Sequence, residues 1–181
     1  THVSVLLALP IAGLMILLAA DMLTGFATGA EAALSVVIIL LAARGIEAAL
    51  GPATPIVEMV GHRGLPLFNS LIGMAIWLIV GEWLVPTHGA LGMAIAVSAA
   101  VVFTALLAVA ELYLSDRVNP FGHGFWRALL AALSAIAVLW ALGEAMLPFG
   151  QRIRAIALLV LFWPILWVAL KWGMLAEDKE G

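Results

Sequence analysis

The fold is decided by residues 83–110, WLVPTHGALGMAIAVSAAVVFTALLAVA, which contain no Asp, Glu, Lys or Arg. A helix crosses the roughly 30 Å hydrocarbon core of a bilayer with about 20 apolar residues, so this stretch is long enough to span it. The Pro-Thr-His-Gly segment near its start has the composition of a turn. We therefore expect one membrane helix to end near residue 86 and another to cover residues 89–113.

The composition of the whole chain points to the same environment. The 181 residues are 65% hydrophobic and 10% charged, with a mean hydropathy of +1.19. Soluble domains carry about 25% charged residues, so the expected partner of this chain is the lipid bilayer. A net charge of -3 leaves no basic face for nucleic acid, and the lack of cysteine excludes disulfides and thiolate metal sites.

Further apolar runs predict an all-α, polytopic membrane protein with six transmembrane helices in a single transmembrane domain, residues 1–181. The helices are expected at about residues 1–20, 31–60, 65–86, 89–113, 125–148 and 153–174. The loops between them are short, so any function must reside in the helical bundle or at its two mouths. The first apolar run follows Thr1 without basic residues, unlike a signal peptide, and we expect a C-terminal fragment of a longer chain.

The distribution of Lys and Arg predicts the orientation, because cytoplasmic loops retain positive charge. Six crossings place five basic residues on one side and two on the other: Arg63, Arg117, Arg127, Lys171 and Lys179 against Arg152 and Arg154. Both ends of the chain are therefore expected in the cytoplasm.

Small side chains recur every fourth residue along the predicted fourth helix, at Gly92, Ala96, Ala100, Thr104 and Ala108. Lipid offers no hydrophobic drive for helix association, so close approach across small residues supplies van der Waals contact instead. The stripe predicts tight packing against a neighbouring helix. The alternative is that an alanine-rich chain produces such a stripe by chance.

Arg44 and Glu47 are the most informative polar residues, because they lie three apart near the middle of the predicted second helix. A charge at the centre of a membrane helix costs about 2.5–3.5 kcal/mol, so such groups usually face a partner or a wet cavity. They could bind an anionic substrate in a cavity, with Arg44 as the contact and Glu47 orienting it. They could equally form an internal ion pair, or lie near the interface if the helix begins later.

Other polar residues lie near predicted helix ends, and we expect Glu58, Asn69 and Glu82 to be solvated or structural. The four histidines are dispersed over a terminus and three loops, so no metal site is expected. Neither a Gly-x-Ser-x-Gly elbow nor a phosphate-binding Gly-rich loop occurs. We therefore expect no enzymatic activity and no cofactor.

Residues 21–114 resemble the C-terminal half of bacterial polysaccharide and lipid-linked oligosaccharide flippases, members of the multidrug/oligosaccharidyl-lipid/polysaccharide exporter superfamily. The order of parts carries the likeness: an acidic turn with glycines at 21–29, an Ala-rich helix reaching Gly61-His62-Arg63, and an apolar helix. Residues 84–96, LVPTHGALGMAIA, then resemble the family's Leu-Ile-Pro-x-x-Gly-x-x-Gly-Ala-Ala-x-Ala turn. Met93 stands where the family often has Ala. Pro86, Gly89, Gly92 and Ala96 would serve the turn and the packing of the helix after it.

The resemblance implies the last six of fourteen helices, forming one lobe plus trailing helices of a two-lobe transporter in the bacterial inner membrane. It implies alternating access with the missing N-terminal lobe, moving a polyprenyl-linked glycan precursor of lipopolysaccharide, O-antigen or exopolysaccharide type. A cation-coupled multidrug extruder of the same superfamily is the first alternative. A small structural membrane protein without transport activity is the second.

Overall fold

The computed structural model describes residues 2–26, 29–50, 64–116 and 123–174, and in these ranges the chain is helical. Helices suit this composition, because in lipid every backbone amide and carbonyl must be paired within the protein. The α-helices are α1 His2–Phe26, α2 Leu34–Leu50, α3 Gly64–His88, α4 Ala90–Asp116, α5 His123–Ala145 and α6 Gln151–Met174, with short 3-10 turns at Ala30–Ala33 and Leu147–Phe149.

Five of these helices are long and apolar enough to cross a membrane. The stretches that qualify are Val3–Gly25, Gly64–His88, Ala90–Leu114, Gly124–Ala145 and Gln151–Trp172. The sixth predicted span, residues 31–60, differs from what is seen, because a 3-10 turn precedes α2 and the helix begins at Leu34. Residues 51–60 of that predicted span lie outside the described residues. The described residues therefore confirm five candidate spans, and the sixth predicted span is described only in part.

The helices divide between two units. The first, which we call the hairpin unit, contains α2, α3 and α4. In it α3 and α4 run antiparallel and pack along their whole lengths. The Gly89 amide donates to the Val85 carbonyl at 2.8 Å, and Gly89 has φ +56, a left-handed conformation that glycine adopts without penalty. The Met93 amide then donates to the Gly89 carbonyl at 3.1 Å, so α4 begins directly after α3 ends.

Glycines on α3 face small residues on α4 within the hairpin unit. A Cβ atom added at Gly73 would lie 2.7 Å from Cγ2 of Thr104, and one at Gly81 would lie 3.8 Å from Cβ of Ala96. The stripe predicted on this helix thus packs against α3. α2 contacts the same hairpin at two places. Ser98 donates to the Ile39 carbonyl at 3.4 Å, and Leu50 packs against a cluster on α4 formed by Ala108, Val109 and Leu112.

The second unit, which we call the three-helix unit, contains α1, α5 and α6. Its core is a cluster of large buried side chains contributed by all three helices: Leu14, Leu18, Leu139, Leu158, Phe162 and Leu166. α5 and α6 are joined through the 3-10 turn and Gly150, whose φ of +89 reverses the chain. Large residues fill this core, while α1 and α5 also approach closely, since a Cβ atom added at Gly13 would lie 2.8 Å from Cγ1 of Ile136.

Candidate functional site

Arg44 and Glu47 form an ion pair within α2. Nη1 of Arg44 donates to Oε2 of Glu47 at 2.8 Å, and the side chains are 64% and 42% exposed. The spacing of three residues places them on one helix face, as helical geometry requires. The geometry matches the internal pair considered from the sequence, and it leaves most donors of the guanidinium free. An Arg carries five N–H groups in a planar fork, so the pair can still bind an anionic group.

Asn69 and Glu111 connect α3 to α4 in the hairpin unit. Nδ2 of Asn69 donates to Oε2 of Glu111 at 2.8 Å, and Asn69 is only 7% exposed. Asn69 is thus a buried polar group that joins the two helices. Its Oδ1 atom is buried without a hydrogen-bond donor in the described chain. A buried acceptor left unpaired costs free energy, so this amide is a place where a donor or cation would bind favourably.

A small groove adjoins Asn69, with a volume of about 270 Å³. Its polar lining includes Ser70 and Thr104, whose hydroxyl protons are already donated to backbone carbonyls, Ser70 to Pro66 at 2.8 Å and Thr104 to Ala100 at 3.0 Å. The hydroxyl oxygens therefore remain available only as acceptors. Together with the Glu111 carboxylate, this region of the hairpin unit offers oxygen atoms and negative charge.

Asp21 and Arg154 form the other polar connection, within the three-helix unit. Nη2 and Nε of Arg154 donate to Oδ2 of Asp21 at 2.6 and 3.1 Å. The Asp21 side chain is 6% exposed and that of Arg154 18% exposed, so the pair is largely buried. It joins the last turns of α1 to the first turn of α6. From the sequence, Arg154 was expected to set the topology; in the structure it also neutralises a buried carboxylate.

The predicted turn residues surround the α3–α4 connection. Pro86 lies inside the last turn of α3, which continues to His88 before Gly89 reverses the chain. A Cβ atom at Gly92 would lie 2.4 Å from the carbonyl oxygen of Leu84, closer than any side chain tolerates. Ala96 is fully buried and faces Gly81. These residues shape the hairpin and contribute no reactive group.

The sequence analysis missed Glu111 and the pairing of Asp21 with Arg154. Glu111 could have been found, because residues about equally far from an antiparallel turn lie side by side, and Asn69 and Glu111 flank Gly89 in this way. Asp21 and Arg154 are 133 residues apart, and no local pattern links them. Asp21 follows the first predicted helix and Arg154 begins the last, so the six-helix prediction puts both residues on the same side of the membrane.

Among the described residues, no three His, Asp or Glu side chains are grouped as a metal site would require. Glu58 and the segment His62-Arg63, like Arg117 and Lys179, lie outside the described residues. Within the described ranges, three carboxylates have side-chain hydrogen-bond donors, one on α2, one between α3 and α4, and one between α1 and α6.

No protein-family model, curated protein or solved structure matches the chain. What is established is a helical chain with five helices suited to crossing a membrane.

Proposed function

We propose that the protein is part of a flippase that moves polyprenyl-linked oligosaccharide or polysaccharide precursors across the bacterial inner membrane by alternating access. The observation that carries the proposal is the resemblance of residues 84–96 to the flippase turn, together with the close contact of Gly92 and Leu84 that such a turn needs. The five apolar helices are consistent with a bundle of this kind. In the proposal both ends of the chain lie in the cytoplasm and the substrate is a lipid-linked glycan.

Arg44 is the proposed contact for the diphosphate of the carrier lipid. Its guanidinium is exposed, and Glu47 holds one edge of it through Nη1. The remaining N–H groups can form paired hydrogen bonds to phosphate oxygens, which are stronger than bonds between neutral groups. Glu47 restricts the side-chain rotamers of Arg44, so less conformational entropy is lost when the phosphate binds.

Transport into vesicles tests this role directly. The purified protein in its natural length is reconstituted in liposomes, and movement of a fluorescent polyprenyl diphosphate sugar is followed by quenching from outside. Arg44→Ala should reduce the rate about tenfold or more, as expected for losing a charged hydrogen-bonded contact. The transport rate of Arg44→Lys should lie between those of the wild-type protein and Arg44→Ala, because lysine keeps the charge and loses the planar fork.

The matched control is Arg152→Ala, since Arg152 is also exposed, lies at a helix start and is not assigned to the site. Unchanged transport in this control with a reduced rate for Arg44→Ala supports the proposal. Wild-type transport in Arg44→Ala would remove Arg44 from the site, and absence of any transport by the wild-type protein would count against the flippase function itself.

A cation-coupled multidrug extruder is the second candidate, favoured by the carboxylate of Glu111 inside the Ala90–Leu114 span. Ionisable groups at membrane depth often belong to ion pathways. Glu111→Gln separates the candidates, because it keeps an acceptor for Asn69 while removing the charge. Loss of cation-driven export of a fluorescent drug in this variant would favour the extruder, and loss of glycan transport without any drug export would favour the flippase.

A further inference from the structure

Glu82 is a charged residue inside a candidate membrane span. It lies six residues before His88, the last residue of the candidate span Gly64–His88. At 1.5 Å rise per residue, its Cα atom is about 9 Å from that end of the helix. Its side chain is exposed, so it is not withdrawn into the hairpin. From the sequence, Glu82 is expected near one end of this helix as a solvated or structural polar group.

Glu82 lies within reach of a lipid headgroup. It is in the last quarter of the candidate span Gly64–His88, and its side chain is exposed, so a lipid beside this helix can bring its headgroup to the carboxylate. No Lys or Arg pairs with it in the parts of the chain that the structure describes, where Arg44 and Arg154 already have carboxylate partners.

Glu82 is part of the lining of an apolar groove of about 630 Å³ on the hairpin unit. Trp77, Pro86 and Met93 line it, and Glu82 is its one charged member. Nε1 of Trp77 donates to Sδ of Met93 at 3.2 Å, which holds the indole ring against α4. The groove thus combines an aliphatic and aromatic surface with a single negative charge in the last quarter of a candidate span.

We propose that this groove binds a phospholipid with a primary ammonium headgroup, such as phosphatidylethanolamine. The ammonium group supplies the positive charge and the N–H donors that Glu82 lacks, and an acyl chain lies along Trp77 and Leu78. Lipid is the occupant because the groove is exposed on a helix suited to spanning a membrane. A quaternary choline headgroup is a weaker partner, since it has no N–H to donate. This assignment does not depend on the proposed transport function.

Lipid retention by the detergent-purified protein tests the assignment. The protein is mixed with phosphatidylethanolamine, phosphatidylcholine and phosphatidylglycerol of identical acyl chains, and bound lipids are counted by native mass spectrometry. The wild-type protein should bind phosphatidylethanolamine about fivefold more tightly than phosphatidylcholine, corresponding to the effect of one charge near a membrane surface. Glu82→Gln should bind the two lipids equally.

Glu144→Gln is the matched control. Glu144 is also an exposed carboxylate near the C-terminal end of a candidate span, but it lies one residue from the end of Gly124–Ala145. This variant should keep the wild-type preference. Trp77→Leu should weaken retention of all three lipids while preserving their order, because it reduces the apolar contact and leaves the charge.

Three outcomes would overturn the assignment. These are equal retention of phosphatidylethanolamine and phosphatidylcholine by the wild-type protein, an unchanged preference in Glu82→Gln, and loss of the preference in Glu144→Gln as well as in Glu82→Gln. A protein that fails to transport a glycan but shows the expected lipid preference would refute the proposed function alone.

Discussion

The two units of the molecule differ in their cores and in their polar connections. The α3–α4 pair of the hairpin unit approaches closely through Gly73, Gly81 and Gly92, and its polar connection is a neutral amide donating to a carboxylate. The three-helix unit is filled by large leucine and phenylalanine side chains, and its polar connection is a full ion pair. A Cβ atom added at Gly92 would meet backbone, which cannot move aside, whereas a core of large side chains can partly rearrange. The two units should therefore fail in different ways when they are mutated.

The largest effect is expected from breaking the ion pair of the three-helix unit. Arg154→Met leaves the buried Asp21 carboxylate without its partner, and we expect a loss of about 3–5 kcal/mol of stability. The measurement is thermal unfolding of the purified protein in detergent, followed by circular dichroism.

The double variant Asp21→Leu/Arg154→Met sharpens this prediction. Removing both charges should restore much of the stability, because apolar residues often replace a buried ion pair without loss. A double variant less stable than Arg154→Met would show that the pair does more than neutralise charge.

A somewhat smaller effect is expected from adding one methyl group to the hairpin unit. Gly92→Ala would place Cβ against the Leu84 carbonyl oxygen, which belongs to backbone and cannot rotate away, so we expect a loss of about 3 kcal/mol. Folded yield and thermal unfolding measure it. Gly25→Ala is the control, since a Cβ atom there meets nothing within 4 Å. Equal stability of the two variants would contradict the close contact.

Removing the interhelical amide of the hairpin unit should have an intermediate effect. Asn69→Leu takes away the donor to Glu111, and hydrogen bonds between membrane helices contribute about 0.6–1.7 kcal/mol. Glu111→Gln should cost less, because its side-chain carbonyl still accepts from Asn69. Thermal unfolding of both variants checks this order, and a larger loss for Glu111→Gln would mean that the carboxylate has another partner.

The smallest effect on stability is expected for Arg44→Ala. The Arg44–Glu47 pair is exposed and lies within one helix, and such pairs contribute about 0.5 kcal/mol or less. Thermal unfolding should be nearly unchanged even where transport is lost. A loss as large as that of Arg154→Met would place Arg44 in the packing of the molecule and not in a binding site.

Residues 64–116 show how far sequence reasoning reaches. The charge-free run predicts helices at 65–86 and 89–113, and the structure has Gly64–His88 and Ala90–Asp116. A spanning helix is predicted from the mean hydropathy of about 20 residues, so single polar residues within it do not change the prediction. The candidate site was harder to predict than the helices. The pairing of Arg44 with Glu47 follows from their spacing of three residues, whereas that of Asn69 with Glu111 joins two helices and has no local pattern.

The sequence by itself determined that this chain is helical and suited to a bilayer, because uncharged runs of spanning length leave the backbone no other way to satisfy its hydrogen bonds in lipid. It also determined the turn at Gly89, where φ is +56 and glycine adopts the left-handed conformation most readily. Only the tertiary structure decided which polar groups meet, Asp21 with Arg154 and Asn69 with Glu111. Such pairings depend on which helix faces pack together, and residues distant along the chain carry no local record of that choice.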